Sequence, residues 1–156
     1  MKVFIVFLAM LLLNMTFLIQ WRDMDRYELL QKELKTMAEE CASGAALYDD
    51  REVYSLGKLS IDQEAAEAYL SDQLEKYSAA SRLGRWGLLE ARMEIYDDVK
   101  GYGGAEAAGI TGIGPAVLVE LTYTGRDLFR LPFFCVTALQ RKAVYQWEGG
   151  LTTDVG

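Results

Sequence analysis

The chain has 156 residues, enough for one domain, and its hydrophobic content of 51% exceeds what an ordinary soluble domain of this length needs. It contains no histidine, which excludes Cys/His zinc sites, Ser-His-Asp catalysis and Cys-His catalysis. All 23 acidic residues and all but one of the 16 basic residues follow Gln20, so this part is strongly acidic, which discourages nucleic-acid binding and a basic membrane-surface patch.

The first predicted element is an apolar helix. Residues 3–19, VFIVFLAMLLLNMTFLI, contain no charge, and as a helix they are roughly 25 Å long, the lower limit for crossing a bilayer. A cleaved signal peptide should end in small residues, whereas this run continues into Trp21 and Arg22, so we expect an uncleaved transmembrane signal-anchor at 1–20. A cleaved signal peptide and a soluble core helix are the alternatives. Lys2 favours a single-pass protein of the cell membrane with a cytoplasmic N-terminus and an extracytoplasmic C-terminal domain.

The same helix is predicted to continue past the membrane. Apolar side chains recur at spacings of three and four, which marks one face of a helix. They are Tyr27, Leu30, Leu34, Met37, Cys41, Ala45 and Tyr48. Charged residues occupy the other faces and no proline interrupts, so one helix is expected over 3–48, roughly 70 Å long. A domain of this size cannot bury such a helix, so its first half must contact lipid or other protein chains.

The order of the remaining elements predicts an α+β fold. After a stop near Asp49 and Asp50, Ser60 or Asp62 can cap a short second helix that ends near residue 78. Alternation of apolar and polar residues then predicts strands within 89–99, 115–124 and 135–147, and hence a small antiparallel sheet of three or four strands. The apolar faces of the first two strands contain Leu89, Ala91, Met93, Ile95, Val99, Val117, Val119, Leu121 and Tyr123.

Two connections and the C-terminus are predicted to lie outside the core. The segment 101–115 is rich in glycine and should form a long mobile loop. The cluster LFRLPFF at 128–134 should be an exposed apolar patch. The extracytoplasmic α+β domain is expected to span 21–150, followed by a flexible tail at 151–156.

No motif predicts catalysis, a metal or a cofactor. Gly101, Gly103 and Gly104 lack a phosphate-binding spacing, and a strand rather than a helix follows them. Adjacent acidic pairs point in different directions and do not converge on one site, although a weak calcium site at Asp49 and Asp50 is left open. We therefore expect a protein that is not an enzyme.

Cys41 and Cys135 are the two cysteines. Cys41 lies on the apolar stripe of the helix, so packing is its first interpretation, and burial makes a thiol less reactive. A disulfide between Cys41 and Cys135 is the second, because the sheet must cover this half of the helix. Two buried free thiols fit the count almost equally well.

An apolar helix that runs unbroken into an amphipathic one, with a small antiparallel sheet packed on it, resembles type IV pilins and pseudopilins. More narrowly, YELLQKELKTMAEECASGAALYDD at 27–50 is similar to the helix of TadE-like pseudopilins of tight-adherence pilus systems. Such prepilins usually carry a basic leader, a cleavage glycine and a glutamate as fifth mature residue. Here no glycine precedes the apolar run and the first acidic residue is Asp23, so no functional residue is carried over from that motif.

The resemblance implies a membrane-anchored minor component or assembly factor of a pilus or related secretion apparatus, which acts by helix packing. Its partners would be membrane lipid and other pilin-like or assembly-machine subunits, and not nucleic acid. Asn14 and Thr16 offer hydrogen bonds to neighbouring helices within the membrane. The alternative is a stand-alone anchored extracytoplasmic domain that binds a protein partner through the glycine-rich segment and LFRLPFF.

Overall fold

The computed structural model describes residues 2–110, 114–129, 135–147 and 150–152. Within these residues the helices are α1 (Lys2–Ala45), α2 (Arg51–Tyr54), α3 (Gln63–Ala80) and α4 (Arg82–Trp86). The strands are β1 (Gly87–Tyr96), β2 (Ala116–Gly125), β3 (Ala138–Gln146) and β4 (Gly150–Thr152). The predicted α+β class, with a long N-terminal helix, a short second helix and a small antiparallel sheet, is confirmed.

The four strands form one antiparallel sheet in the order β1-β2-β3-β4. Met93 of β1 pairs with Val119 of β2, which pairs with Ala143 of β3. Because side chains alternate along a strand, one face of the sheet points towards α1 and the other points away. Four side chains of β2 are fully buried on the α1 side, as their alternation predicts: Val117, Val119, Leu121 and Tyr123.

The C-terminal half of α1 packs across this sheet. Its buried side chains are Leu30, Leu34, Met37, Ala38, Cys41, Ala42 and Ala45, and the small ones let the last turns approach the strands closely. At one end the ring of Tyr27 lies 5.3 Å from that of Phe129, which precedes β3. At the other end Trp147, which follows β3, donates a hydrogen bond to the carbonyl of Ala46. β3 therefore runs parallel to α1. The helix α1 ends at Ala45, three residues before the predicted end at position 48.

The second long helix, α3, begins where its predicted cap lies. The carboxylate of Asp62 accepts a backbone N–H of the first turn at 3.2 Å. α3 lies against α1 in the antiparallel sense, with Tyr69 packed on Gly44 and the Tyr77 hydroxyl bonded to the Glu40 carboxylate. The small-residue end of α1 is thus covered by both the sheet and α3.

The described part of the glycine-rich segment is a series of turns that contacts the sheet. Within 101–110 the side chains of Ala105 and Ile110 are 6% and 4% exposed, and they pack on the outer face of the sheet with Leu118. Its glycines supply turn conformations with positive φ at Gly101, Gly104 and Gly109. The segment is a loop, as predicted, but Ala105 and Ile110 anchor it on a sheet face, which the sequence does not predict. Residues 111–113 lie outside the described residues.

The first strand ends earlier than predicted. β1 stops at Tyr96, and Val99, placed by its alternation on the apolar face, is 58% exposed in a turn. Asp97 forms this turn, because its carboxylate accepts the backbone N–H groups of Val99 and Lys100 at 3.0 and 2.7 Å. It also accepts the Ser60 hydroxyl at 2.9 Å and so ties the turn to the segment before α3.

The beginning of the LFRLPFF segment belongs to the core. Leu128 is fully buried, and Phe129 packs on Tyr27. The predicted exposed patch is therefore wrong for these two residues, because β2 and β3 are joined across the Tyr27 end of α1. Residues 130–134 lie outside the described residues.

The start of the predicted tail is part of the sheet. Residues 150–152 form β4, in which Leu151 pairs with Tyr145 and Thr152 with Val144. The predicted tail at 151–156 thus begins within β4, and its flexibility stays a prediction. Residues 153–156 lie outside the described residues.

Candidate functional site

The first half of α1 has no protein cover in the structure. Every residue from 3 to 19 is exposed, and none of the apolar stretch is buried. Seven of its large side chains are Val3, Phe4, Ile5, Phe7, Met10, Leu13 and Phe17. An apolar surface of this extent marks contact with a membrane or with other proteins. By length and composition, α1 could cross a membrane.

Two polar side chains interrupt this apolar surface. The Thr16 hydroxyl donates to the carbonyl oxygen of Leu12 at 2.9 Å, so its proton is used within its own helix. Asn14 has no hydrogen bond to any described residue. It lines a shallow groove of about 310 Å³ with Phe7, Met10, Leu11, Met15 and Leu18. Asn14 is therefore the side chain whose donors and acceptor are open to a second helix.

One side of α1 carries a continuous line of residues, which we call the rear face and which is exposed from Phe7 to Lys32. They recur at alternating spacings of four and three, as positions on one side of a helix do. They are Phe7, Leu11, Asn14, Leu18, Trp21, Asp25, Glu28, Lys32, Lys35 and Glu39. The line passes from apolar to charged after Trp21, and it approaches the packed side of α1 towards its end, since the next positions in the same spacing are the buried Ala42 and Ala46. Asp25, Glu28 and Lys32 are exposed, whereas Lys35 and Glu39 are half-buried.

The domain begins directly at the end of the apolar run. The ring of Trp21 lies 6.4 Å from that of Phe17, and Asp23, two residues further on, is only 3% exposed. The guanidinium of Arg26 lies 4.4 Å from the centroid of the Trp86 ring. The apolar helix is thus joined to the sheet through an unbroken helix, without a linker.

Cys41 has the packing role that its place on the stripe predicts. It is fully buried on the sheet side of α1. Burial, with a smaller contribution from the charge of Glu40, raises the pKa of the Cys41 thiol to about 12. The thiol is therefore protonated at neutral pH, and a nucleophilic role has no support.

The structure does not bring Cys41 and Cys135 together. Cys135 is exposed and both thiols are free. Val136, which follows Cys135, lies at the Tyr27 end of α1, where its carbonyl oxygen accepts the backbone N–H of Leu128 at 3.0 Å. Cys41 lies nearly four turns further along the helix, roughly 20 Å away, whereas a disulfide needs Cα atoms within about 7 Å.

The other polar clusters are accounted for by ion pairs and caps. A cavity of about 470 Å³ on the outer face of the sheet holds the ion pairs Arg92–Glu94 at 2.9 Å and Lys142–Glu120 at 3.4 Å. Asp50 caps α2 by accepting a backbone N–H at 3.0 Å. Within residues 2–110, 114–129 and 135–147, no three His, Cys, Asp or Glu side chains are placed to hold a metal ion.

Comparisons of the chain with protein-family models, with curated proteins and with solved structures find no match. Within the described residues, the exposed apolar half of α1 is the largest surface without protein contacts. The sequence alone predicts only that the charges after Trp21 lie on the faces of α1 away from its apolar stripe. The signal that they belong to one line with Phe7 was their alternating spacing, which becomes informative once the sheet-facing side is known.

Proposed function

We propose that this protein is a membrane-anchored, pilin-like subunit of a pilus or related secretion apparatus, which acts by helix packing and not by catalysis. One observation carries the proposal: the uncovered apolar half of α1 continues, without a linker, into the half fixed to the sheet. A tether for a domain needs no rigid joint. A subunit that packs laterally needs one, because its helix must present the same faces to every neighbour.

The single apolar run supports one membrane crossing, and Lys2 before it supports the orientation. The N-terminus lies in the cytoplasm and the domain outside, with lipid around residues 3–19 before assembly. On assembly, helices of other subunits replace that lipid. Since lipid tails are as apolar as leucine, the exchange depends on close packing and on polar groups such as Asn14.

The resemblance of residues 27–50 to TadE-like pseudopilins supports the same proposal. These residues contain the packed half of α1 up to its end at Ala45, where Ala38, Ala42 and Ala45 face the domain. The family likeness and the packing thus concern one segment.

The alternative is an anchored domain that binds a protein partner. In its two predicted surfaces, the apolar side chains of Ala105, Ile110 and Leu128 are buried within the domain. Near the junction of α1 and α2, however, Leu47, Tyr54 and Leu56 are 76%, 64% and 78% exposed. Such neighbouring apolar side chains are a suitable contact for a partner.

Fibre shearing separates the two functions. For a pilus subunit, we expect the protein in the sheared-fibre fraction, or loss of fibres when its gene is deleted. Unchanged fibres, together with a protein that fractionates alone, would contradict the proposal and favour the alternative. Leu56→Asp is the matched variant, because it should abolish partner binding under the alternative and leave fibres intact under the proposal. N-terminal sequencing of the mature protein separates an anchor, a cleaved signal and a processed pilin.

A further inference from the structure

We propose that the end of the domain next to the membrane lies on the bilayer surface, where four arginine side chains bind the phosphate groups of anionic lipids. They are Arg22, Arg26, Arg85 and Arg126, which we call the arginine cluster. This contact rests on the membrane-anchored function proposed above, and it adds the orientation of the domain and the lipid that the domain prefers.

The fold gathers the arginine cluster from separate parts of the chain. Arg22 and Arg26 are about one turn apart in α1, and the Arg26 guanidinium lies 4.4 Å from the centroid of the Trp86 ring. Arg85 precedes Trp86 in α4. The backbone N–H of Arg126, just after β2, donates to the Trp86 carbonyl at 3.2 Å. Trp86 thus brings α1, α4 and the end of β2 together at one end of the domain.

The guanidinium groups of the arginine cluster are available to a ligand. Three of the four residues are exposed, and Arg26 is half-buried beside Trp86. Among the described residues, none of the four forms an ion pair with a carboxylate, whereas Arg92 on the outer face of the sheet pairs with Glu94 at 2.9 Å. A guanidinium can donate two parallel hydrogen bonds to a phosphate group.

The height of the arginine cluster matches the headgroup layer of a bilayer. The apolar run ends at residue 19, and Arg22 and Arg26 follow it by roughly 5 and 10 Å along the helix axis. The headgroup layer on each side of the hydrocarbon core is roughly 5–8 Å thick. Because Arg85 and Arg126 adjoin Trp86, which lies at the level of Arg26, their long side chains can also reach this layer.

Aromatic and apolar side chains at the same end of the domain suit the membrane interface. Trp21 is 62% exposed just before the arginine cluster, and Trp86 is half-buried within it. Leu88, the second residue of β1, is 60% exposed. Tryptophan is enriched at the level of the headgroups, where its ring is partly in contact with lipid and partly with water.

The acidic composition of the chain does not oppose this contact locally. Asp25 and Glu28 are exposed in the same part of α1, but they belong to the rear face, whereas Arg26 faces Trp86. The carboxylate of Asp127 accepts two backbone N–H groups at 3.0 Å. A charge summed over the whole sequence does not predict the arginine cluster, because its members come from three distant segments.

Spin-labelled lipids around the full-length protein in phosphatidylcholine vesicles measure the lipid preference. Electron paramagnetic resonance separates labelled lipid held at the protein from lipid in the free bilayer. We expect labelled phosphatidylglycerol, which is anionic, to associate about two- to fivefold more strongly than labelled phosphatidylcholine. The preference should disappear near 1 M salt, where charges are screened within about 3 Å. Equal association of the two lipids at low salt would overturn the assignment.

Substitutions within the domain separate its contact from that of the anchor. Arg85→Gln combined with Arg126→Gln should lower the preference for phosphatidylglycerol at least twofold. Arg85→Lys combined with Arg126→Lys keeps the charge and should retain the preference. Arg51→Gln combined with Lys58→Gln is the matched control, because it removes the same charge near α2, at the opposite end of the domain. A preference that survives the first pair, is lost in the lysine pair, or falls equally in the control would contradict the lipid contact.

Thermal unfolding shows whether a lower preference reflects a damaged fold. Arg85 Nε also donates to the Ser81 carbonyl at 3.3 Å, so its substitution can weaken α4. Arg126→Gln alone avoids this, since the fold uses the backbone of Arg126 and its side chain has no hydrogen bond to the described residues. Arg126→Gln should still lower the preference, and an unchanged value in this folded variant would count against the contact.

Failure of the lipid contact and failure of the proposed function are distinguishable. If the protein is found in sheared fibres but shows no lipid preference, the arginine cluster does not bind lipid and the pilin-like function stands. If fibres form without the protein and it is absent from them, the proposed function fails, while a measured preference for phosphatidylglycerol still supports the lipid contact.

Discussion

The indole Nε1 of Trp147 donates a hydrogen bond of 2.8 Å to the backbone carbonyl of Ala46, 101 positions earlier in the chain. Carbonyl groups at the end of a helix lack partners within the helix, and this bond satisfies one of them just after α1 ends at Ala45. The end of β3 is thereby fixed to the end of α1, far from the apolar half.

Trp147→Phe should lower the free energy of unfolding by about 1–3 kcal/mol, because the Ala46 carbonyl loses its donor in a partly buried place. Urea unfolding of the full chain in detergent micelles, followed by circular dichroism, measures the change. Trp21→Phe is the matched control, and it should change stability by no more than about 0.5 kcal/mol, since Trp21 lies on the exposed side of the helix. Equal effects of the two substitutions would show that the indole bond contributes nothing.

Asp97 should make stability depend on pH at the acidic end. Burial alone raises the pKa of its carboxyl, but the N–H groups of Lys100, Ile61 and Val99 and the Ser60 hydroxyl outweigh it, so the net pKa lies below the ordinary value. A lowered folded-state pKa stabilises the fold above the unfolded-state pKa of about 3.9, and this contribution is lost as pH falls through the folded-state value. Asp97→Asn should therefore lower the free energy of unfolding at pH 7 by about 1–3 kcal/mol.

The difference between the wild type and Asp97→Asn should shrink as the pH falls below about 4, because the wild-type carboxylate then becomes protonated. Unfolding curves at a series of pH values measure it. Asp72→Asn is the control, since Asp72 forms an exposed ion pair with Lys76 and should matter by less than about 1 kcal/mol. If the stability difference between the two proteins stays constant from pH 7 to pH 3, the negative charge of Asp97 does not stabilise the fold.

The sequence predicts those elements whose signal is local periodicity. α1 and β2 show it clearly, because a period of 3.6 or 2 over ten or more residues specifies which side is buried. The packing of the glycine-rich segment on the sheet is not predicted, since it depends on the contact of Ala105 and Ile110 with Leu118. No sequence pattern within 101–110 predicts that contact.

In the candidate site, too, the features that depend on local pattern are predicted and those that depend on tertiary contacts are not. The exposed apolar half of α1 is predicted by composition alone. The separation of Cys41 from Cys135 is not, because it depends on the direction in which β3 crosses the helix. Because a sheet must cover the stripe that contains Cys41, Cys135 was expected to lie near it. However, Cys135 precedes β3 at the Tyr27 end of α1, and β3 reaches the end of α1 that contains Cys41 only at its own C-terminus.

Both cysteines should be free thiols in the protein as isolated. Without denaturant, a maleimide should modify Cys135, which is exposed, and leave Cys41, which is buried with its pKa raised to about 12 by burial and the Glu40 charge. After denaturation without reductant, mass spectrometry should find both modified. Cys135→Ser provides the control for assignment, because it should abolish labelling of the folded protein. If the denatured, unreduced protein takes up no label, Cys41 and Cys135 form a disulfide and their separation in the structure is wrong.

The contact between Gly44 and Tyr69 should reverse the usual effect of alanine in a helix. Alanine in place of glycine ordinarily stabilises a helix by up to about 1 kcal/mol, but a Cβ atom at Gly44 would overlap the phenol ring of Tyr69. Overpacking of this kind costs about 1–3 kcal/mol, so Gly44→Ala should destabilise the wild type. In a Tyr69→Ala background the overlap is gone, and Gly44→Ala should stabilise the protein.

The double-mutant cycle, measured by urea unfolding in micelles, isolates the coupling between Gly44 and Tyr69. Stabilisation by Gly44→Ala in both backgrounds would mean that α3 does not approach α1 at this glycine. The glycine that weakens the isolated helix would then have no role in packing, and the close contact of the two helices would have to depend on other residues.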